Sequence, residues 1–195
     1  MLLHLPAVFS GSRLVVRTIS GLLLLAWTGV GLIGCDRGTT PVSEPSPSPA
    51  RPSIVGTGIE FNANAGSEAY RTSGWSKPEE QFTWSQGTSA KLELPVGSAP
   101  GSLILIAKIA AFINPPDVPT QPVQVYANGT QIDEWQVGNT ADFKASIPAA
   151  AAEKGGMLVL EFQTAKAMSP KAAGAGDDDR LLGIALHRIE LIRSP

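Results

Sequence analysis

The residues able to do chemistry gather in two short stretches. In the first, Trp75, Ser76, Glu79, Glu80, Thr83, Trp84 and Ser85 set two indole rings beside two carboxylates and several hydroxyls, within Ser73 to Gly87. Flat rings next to hydrogen-bonding groups suit sugars, whose C–H faces pack on π-systems while their hydroxyls need paired donors and acceptors. Each ring also has a packing role open to it: Trp84 can fill the core, and Trp75 can staple its loop over a sheet edge. The second stretch is Asp177-Asp178-Asp179-Arg180, after Ser169-Pro170 and a run of small residues. Carboxylates are the oxygen ligands of a structural calcium. Adjacent residues point different ways, however, and neither Asx-x-Asx spacing nor a downstream bidentate glutamate is present, so a solvated acidic turn is expected. Asp179 and Arg180 stand just before the apolar run Leu181 to Leu186. There, an Arg180–carboxylate pair, with Glu79 a candidate partner, would clamp the loops together; contact with a ligand is the other role open to it.

The inventory for catalysis is thin. The two histidines are His4 and His187, and period-two spacing puts His187 on the strand face of Ile189 and Leu191. No Ser-His-Asp order, His-rich metal motif or phosphate-cradling glycine loop can be assembled. Glu79 and Glu80 are chain neighbours, which seldom face one substrate at the ~5–9 Å separation of glycosidase carboxylates. A protein without enzymatic activity or cofactor is expected. With a formal charge of −2 and no basic patch, nucleic acid is excluded as a partner.

The single cysteine, Cys35, follows Leu32-Ile33-Gly34. Upstream lie Arg13 and Arg17, then the charge-free run Gly21 to Ile33. That run is roughly 13 residues long, short of the about 20 that span a bilayer, and fits the apolar region of a signal peptide. Leu32-Ile33-Gly34-Cys35 resembles the lipobox of bacterial lipoproteins. The resemblance implies removal of residues 1–34, a diacylglyceryl thioether on Cys35, and a protein held to a membrane of the cell envelope and facing the periplasm. Two or three acyl chains anchor stably where one binds marginally. Asp36 resembles the inner-membrane retention signal of enterobacterial lipoproteins.

From Asp36 to Ser53, repeated Pro and Ser without apolar periodicity predict a polyproline II tether, rising about 3.1 Å per residue. Residues 54–195 are expected to form the folded domain. Only 16% of residues are charged and 6% aromatic, against 20 glycines and 16 prolines, which favours strands and turns over a helical bundle. Alternation marks strands at Ile59 and Phe61, at Leu92 and Leu94, at Val123 to Ala127, at Thr130 to Trp135, and at Phe143 to Ile147. Leu103 to Phe112, Met157 to Phe162 and Gly183 to Ile192 read as more deeply buried strands. Asn128-Gly129 predicts a type I′ hairpin, and the alanines from Ala149 a short helical turn. Eight or nine short strands imply an all-β, antiparallel, jelly-roll-like sandwich.

Taken together, Gly74-Trp75-Ser76-x-Pro78-Glu79, Trp84-Ser85-x-Gly87, Asn128-Gly129, Ser169-Pro170 and Asp179-Arg180-Leu181-Leu182-Gly183-Ile184-x-Leu186 resemble a family of small β-rich domains. These accompany bacterial cell-surface glycosyltransferases and sugar-modifying membrane enzymes. The resemblance runs from about Gly58 to Ile192. It implies a sandwich placed near envelope polysaccharide or glycolipid, with no established catalytic residue. The expected departure from the family is a domain that stands alone on its lipid anchor, which argues against a role as an enzyme's accessory module other than in trans. The expectation is a lipid-anchored, carbohydrate-binding protein with Trp75, Glu79, Trp84, Asp179 and Arg180 at its site. The alternative is an assembly module that contacts glycosyltransferase or polysaccharide-assembly proteins.

Overall fold

The computed structural model describes residues 51–153 and 155–195. The expected signal peptide, Cys35, Asp36 and most of the expected tether lie outside the described residues.

Among the described residues, ten strands form two five-stranded antiparallel sheets. They are β1 (Gly58–Glu60), β2 (Arg71–Ser73), β3 (Thr83–Gln86), β4 (Ser89–Pro95) and β5 (Leu103–Ala111), then β6 (Gln121–Ala127), β7 (Thr130–Val137), β8 (Ala141–Ile147), β9 (Met157–Thr164) and β10 (Leu182–Arg193). A one-turn helix, α1 (Ala149–Ala152), links β8 to β9. The first sheet runs β8, β5, β10, and then β3 and β1 lie one after the other along the far edge of β10. The second runs β2, β4, β9, β6, β7. In the pairs β6–β7, β5–β8, β4–β9 and β3–β10, each outgoing strand meets its counterpart on the return. One long hairpin, rolled so that its rungs alternate between two sheets, gives this order, and that is a jelly roll.

The tip of the hairpin is Asn128-Gly129, with φ of 47° and 82°, the left-handed pair a type I′ turn requires. The Asn128 side chain also ties the tip down. Its Nδ2 donates to the Ala151 carbonyl at 2.8 Å and its Oδ1 accepts from the Val159 amide at 2.9 Å. The core follows the alternation: Leu92 and Leu94, Leu103 and Leu105, Val123 and Val125, Leu158, Leu160 and Phe162 interlock between the sheets, all fully buried. Beyond the expected strands stands β2, three residues paired with β4. It carries no apolar alternation to read, because only its neighbours hold it.

Two register slips in β10 depart from simple alternation. Between Leu182 and Ala185 it gains one residue over β3, and between Leu186 and Arg188 one over β5. At the first slip, the buried Ser85 hydroxyl accepts the Ile184 amide at 2.9 Å, a partner the interrupted ladder does not provide. The second slip inverts parity: Ile184 and Leu186 face the core before it, Ile189 and Leu191 after it. His187 therefore points outward and does not share the face of Ile189 and Leu191.

Replacing Asn128 by Ala removes both side-chain hydrogen bonds and places a β-carbon in left-handed backbone. The expected loss is about 2–4 kcal/mol of unfolding free energy, read from urea denaturation. Ser85→Ala, which strands a buried amide, is expected to cost about 1–3 kcal/mol in the same measurement.

Candidate functional site

Strand β3 has an inverted pattern. Thr83 and Ser85 are buried, while Trp84 and Gln86 face outward. Both inward hydroxyls are engaged by backbone: Thr83 Oγ1 donates to the Phe61 carbonyl at 2.8 Å, and Ser85 holds the Ile184 amide. Residues 74–79 run antiparallel beside this strand. The Gln86 amide donates to the Gly74 carbonyl at 2.7 Å, the Ser76 amide to Trp84 at 2.9 Å, and the Glu79 amide to Phe82 at 2.7 Å. Gly74 begins the arm at φ 73°, where a β-carbon would overlap the Ser89 carbonyl.

This pairing separates the two tryptophans. Trp75 bridges Ser85, and directly opposed residues share a face, so its ring turns inward. It packs between Phe61 and Phe162, at centroid distances of 6.4 and 6.3 Å, and its Nε1 donates to the Lys91 carbonyl at 2.8 Å. Trp84 lies on the opposite side of β3. Its ring meets Phe82 edge-on at 5.3 Å and Phe112 at 6.5 Å, and Phe82 meets His187 at 5.2 Å. Phe112, Trp84, Phe82 and His187 thus form a half-buried row on the outer face of the first sheet.

Beyond His187 the row opens into a cleft of about 590 Å³, bordered by Asn62, Glu80, Gln81, Lys108 and Asp142 with Ile106 among its apolar lining. That volume suits a small ligand. Cross-strand register lays Glu60, Arg188, Lys108 and Asp142 in one line over β1, β10, β5 and β8. Arg188 is neutralised within the line and beside it, by Glu60 at 3.5 Å and Glu190 at 3.0 Å. Burial, and then the Lys108 charge, push the His187 pKa below its ordinary value, against the Gln81 backbone and Glu60. The imidazole is neutral at pH 7 and can both donate and accept.

Arg180 belongs to a separate ionic cluster. Its Nε bonds both Asp178 oxygens at 3.0 Å, its Nη2 reaches Asp178 Oδ2 at 2.6 Å, and Glu79 Oε1 lies 3.8 Å away. The Arg180 hydrogen bonds hold the Asp178 carboxyl below the usual range. Asp178, not Asp179, is therefore the carboxylate that Arg180 grips within its own turn. Asp179 is exposed, on a shallow groove with Gln86, Gly87, Arg180 and Leu181. Both Asp178 oxygens are thus committed to Arg180. No grouping of three His, Cys, Asp or Glu that could hold a metal occurs among the described residues.

Of the five residues read from sequence, the structure joins Glu79 to Arg180, leaves Trp84 outward, sends Trp75 inward and sets Asp179 apart. Phe82, Phe112, His187, Lys108 and Glu60, which border the row and the cleft, are not among those five. Phe82 and Trp84 carried a readable signal, since they alternate with Thr83 and Ser85; His187 was hidden by the bulge.

No family model matches the chain, and no curated protein matches it. Among solved structures, the chain is similar to a family 36 carbohydrate-binding module in complex with calcium and xylotriose. The identity is 9%, over 69% of this chain and 98% of that one, at a TM-score of 0.41. A family 6 carbohydrate-binding module is 13% identical over 75% and 100%, with a TM-score of 0.42. The CBM22-1 xylan-binding domain of Paenibacillus barcinonensis is 12% identical over 71% and 94%, also at 0.42. Likeness at these scores assigns neither ligand nor metal to this chain.

Opposite changes are expected in the NMR titration of His187. Lys108→Ala removes a repelling charge and raises its pKa, whereas Glu60→Gln removes an attracting one and lowers it. Matching curves in both variants would mean that these charges do not face the imidazole.

Proposed function

We propose that this domain is a non-catalytic carbohydrate-binding module that lays an envelope polysaccharide or glycolipid glycan along the outer face of its first sheet. The observation that carries the reading is the inversion in β3, where hydroxyls are buried and aromatic rings turned out. Rings on a sheet surface, edged by hydrogen-bonding groups, match the alternating apolar and hydroxyl faces of a pyranose. Trp84 and Phe82 supply the stacking surface. His187, Gln81, Asn62 and Asp142 supply donors and acceptors at the cleft. Glu79 and Arg180 brace the arm that pairs with Phe82 and Trp84, in keeping with their pairing rather than with direct recognition. The groups in the cleft bind and orient, and no nucleophile with its base is part of this reading.

The proposal includes the anchor. Cys35 carries the lipid, and residues 36–53 extend the module from a periplasm-facing membrane surface toward its glycan. A second reading, an assembly module contacting glycosyltransferase or polysaccharide-assembly proteins, is favoured by Leu181. It is 46% exposed, at the groove beside Arg180, and apolar surface of this kind suits a protein contact.

Trp84→Ala is expected to weaken binding of a confirmed glycan by at least about tenfold, equivalent to about 1.4 kcal/mol, with the fold intact by circular dichroism. Unchanged affinity would remove the aromatic row from the site. If Leu181→Asp abolishes capture of a membrane partner while glycan affinity holds, the second reading describes a separate contact. Cys35→Ser is expected to abolish incorporation of a palmitate analogue and to release the protein from the membrane fraction; retained labelling would refute the anchor.

A further inference from the structure

The outer face of the second sheet is also built in rows. Register aligns Ser89, Gln163, Gln124 and Glu134 across β4, β9, β6 and β7, and next to them Lys91, Glu161, Tyr126 and Gln131. Four strands at about 4.8 Å spacing make each row roughly 14 Å long, enough for a few linked sugar rings. The first row edges a groove of about 560 Å³ that Thr88, Pro122 and Ala165 complete. Any sandwich carries polar residues on its outer faces, and polarity alone would mean only solvation. Here the long side chains are held by hydrogen bonds.

Tyr126 donates its hydroxyl to Gln124 Oε1 at 3.2 Å, and Gln163 Nε2 donates to Glu161 Oε1 at 3.0 Å. Glu161 is fixed in turn by Ser89 at 2.8 Å and Lys91 at 3.2 Å. Burial acts to raise the Glu161 pKa, but the hydrogen bonds from Gln163, Ser89 and Lys91 outweigh it and keep the carboxylate ionised. The second row therefore orients the amides of the first. Gln124 is left with its NH₂ donors for a ligand, and Gln163 with its carbonyl. A glutamine that is already ordered loses less rotamer entropy on binding.

We infer that this groove is a second saccharide site, on the opposite face of the sandwich from the aromatic row, and that it takes an uncharged polyhydroxylated chain. Glu134 is the one charged side chain that lines it, so anions are repelled and the amide pair meets neighbouring hydroxyls. Gln124 and Gln163 bind, while Tyr126 and Glu161 position them. The module is then bivalent, able to hold two glycan segments at once. This site shares the ligand class proposed above and uses none of the same residues.

The test is a titration of the full, detergent-solubilised, ¹⁵N-labelled chain with cellohexaose and chitohexaose, with hexagalacturonate as the anionic comparison. Saturable shifts of the Gln124 and Gln163 side-chain amides are expected with a neutral probe. They should persist in Trp84→Ala; in the Gln124→Ala/Gln163→Ala double variant, which lacks both side-chain amides, the affinity read from the backbone amides of β6 and β9 should fall at least tenfold. Tyr126→Phe, which frees Gln124 without removing it, should weaken them severalfold. Silence of both amides with both neutral probes overturns the inference, as does loss of the shifts in Trp84→Ala or an equal response to hexagalacturonate. Shifts confined to Trp84 and Phe82 would overturn this groove and leave the first-face reading standing; the reverse pattern would do the opposite.

Discussion

Sheet one hangs on β10. This strand holds β5 along one edge and both β3 and β1 along the other, so its register fixes the direction of every side chain around it. A uniform twelve-residue strand would carry one parity from end to end. The slip at His187 changes that parity, which lets Leu186 and Ile189 both reach the core although they are an odd number of residues apart. It also leaves His187 and Arg188 outward together. One extra residue thereby puts an imidazole and a guanidinium side by side over the cleft, with Phe82 on one flank and Lys108 on the other. Bulges re-aim side chains at little cost to the ladder on either side.

What the sequence makes legible follows from what alternation can encode. The long strands β5, β6 and β9 bury one residue in two and were readable as strands; Asn128-Gly129 declared its turn because few other pairs tolerate that backbone. The strand β2 was not readable, since it is held by pairing with β4 rather than by any pattern of its own. Parity beyond a bulge is equally hidden, and His187 was misplaced for that reason. The ionic contact between Glu79 and Arg180 was accessible because both stand in polar loops that must meet something. The choice of Asp178 over Asp179 was not, because it depends on a two-residue turn in which the Arg180 amide also bonds Asp178 Oδ1, at 2.9 Å.

Charge arranges the first face as much as shape does. Arg188 has two carboxylates within 3.5 Å and Arg180 is shared between Asp178 and Glu79. Burial, and then the charge of Lys108, which lies opposite Asp142 in the ladder, make the imidazolium form of His187 unfavourable. Arg188 and Arg180 are thus compensated within the protein. Partly exposed pairs of this kind add little stability, since solvent screens them. Their effect is to fix the directions of long side chains around the cleft, and side chains already ordered lose less entropy on any binding event.

The inverted strand β3 can be divided into what folding demands and what it does not. A β-carbon at Gly183 would crowd the hydroxyls of Ser85 and Thr164. The inward side of β3 has no room for large residues at that point, and the Ile184 amide needs an acceptor. Serine at position 85 satisfies both conditions, so burying a hydroxyl on this strand follows from the geometry of the core. Nothing in that geometry calls for an aromatic ring at position 84. An outward strand position is served as well by threonine or lysine, and either would expose less apolar surface than an indole. Trp84 is nonetheless there, flanked by Phe82 and Phe112 in edge-on contact that holds its ring in place. The core accounts for the hydroxyls and leaves the rings over, and it is this surplus that the proposal of a stacking site rests on.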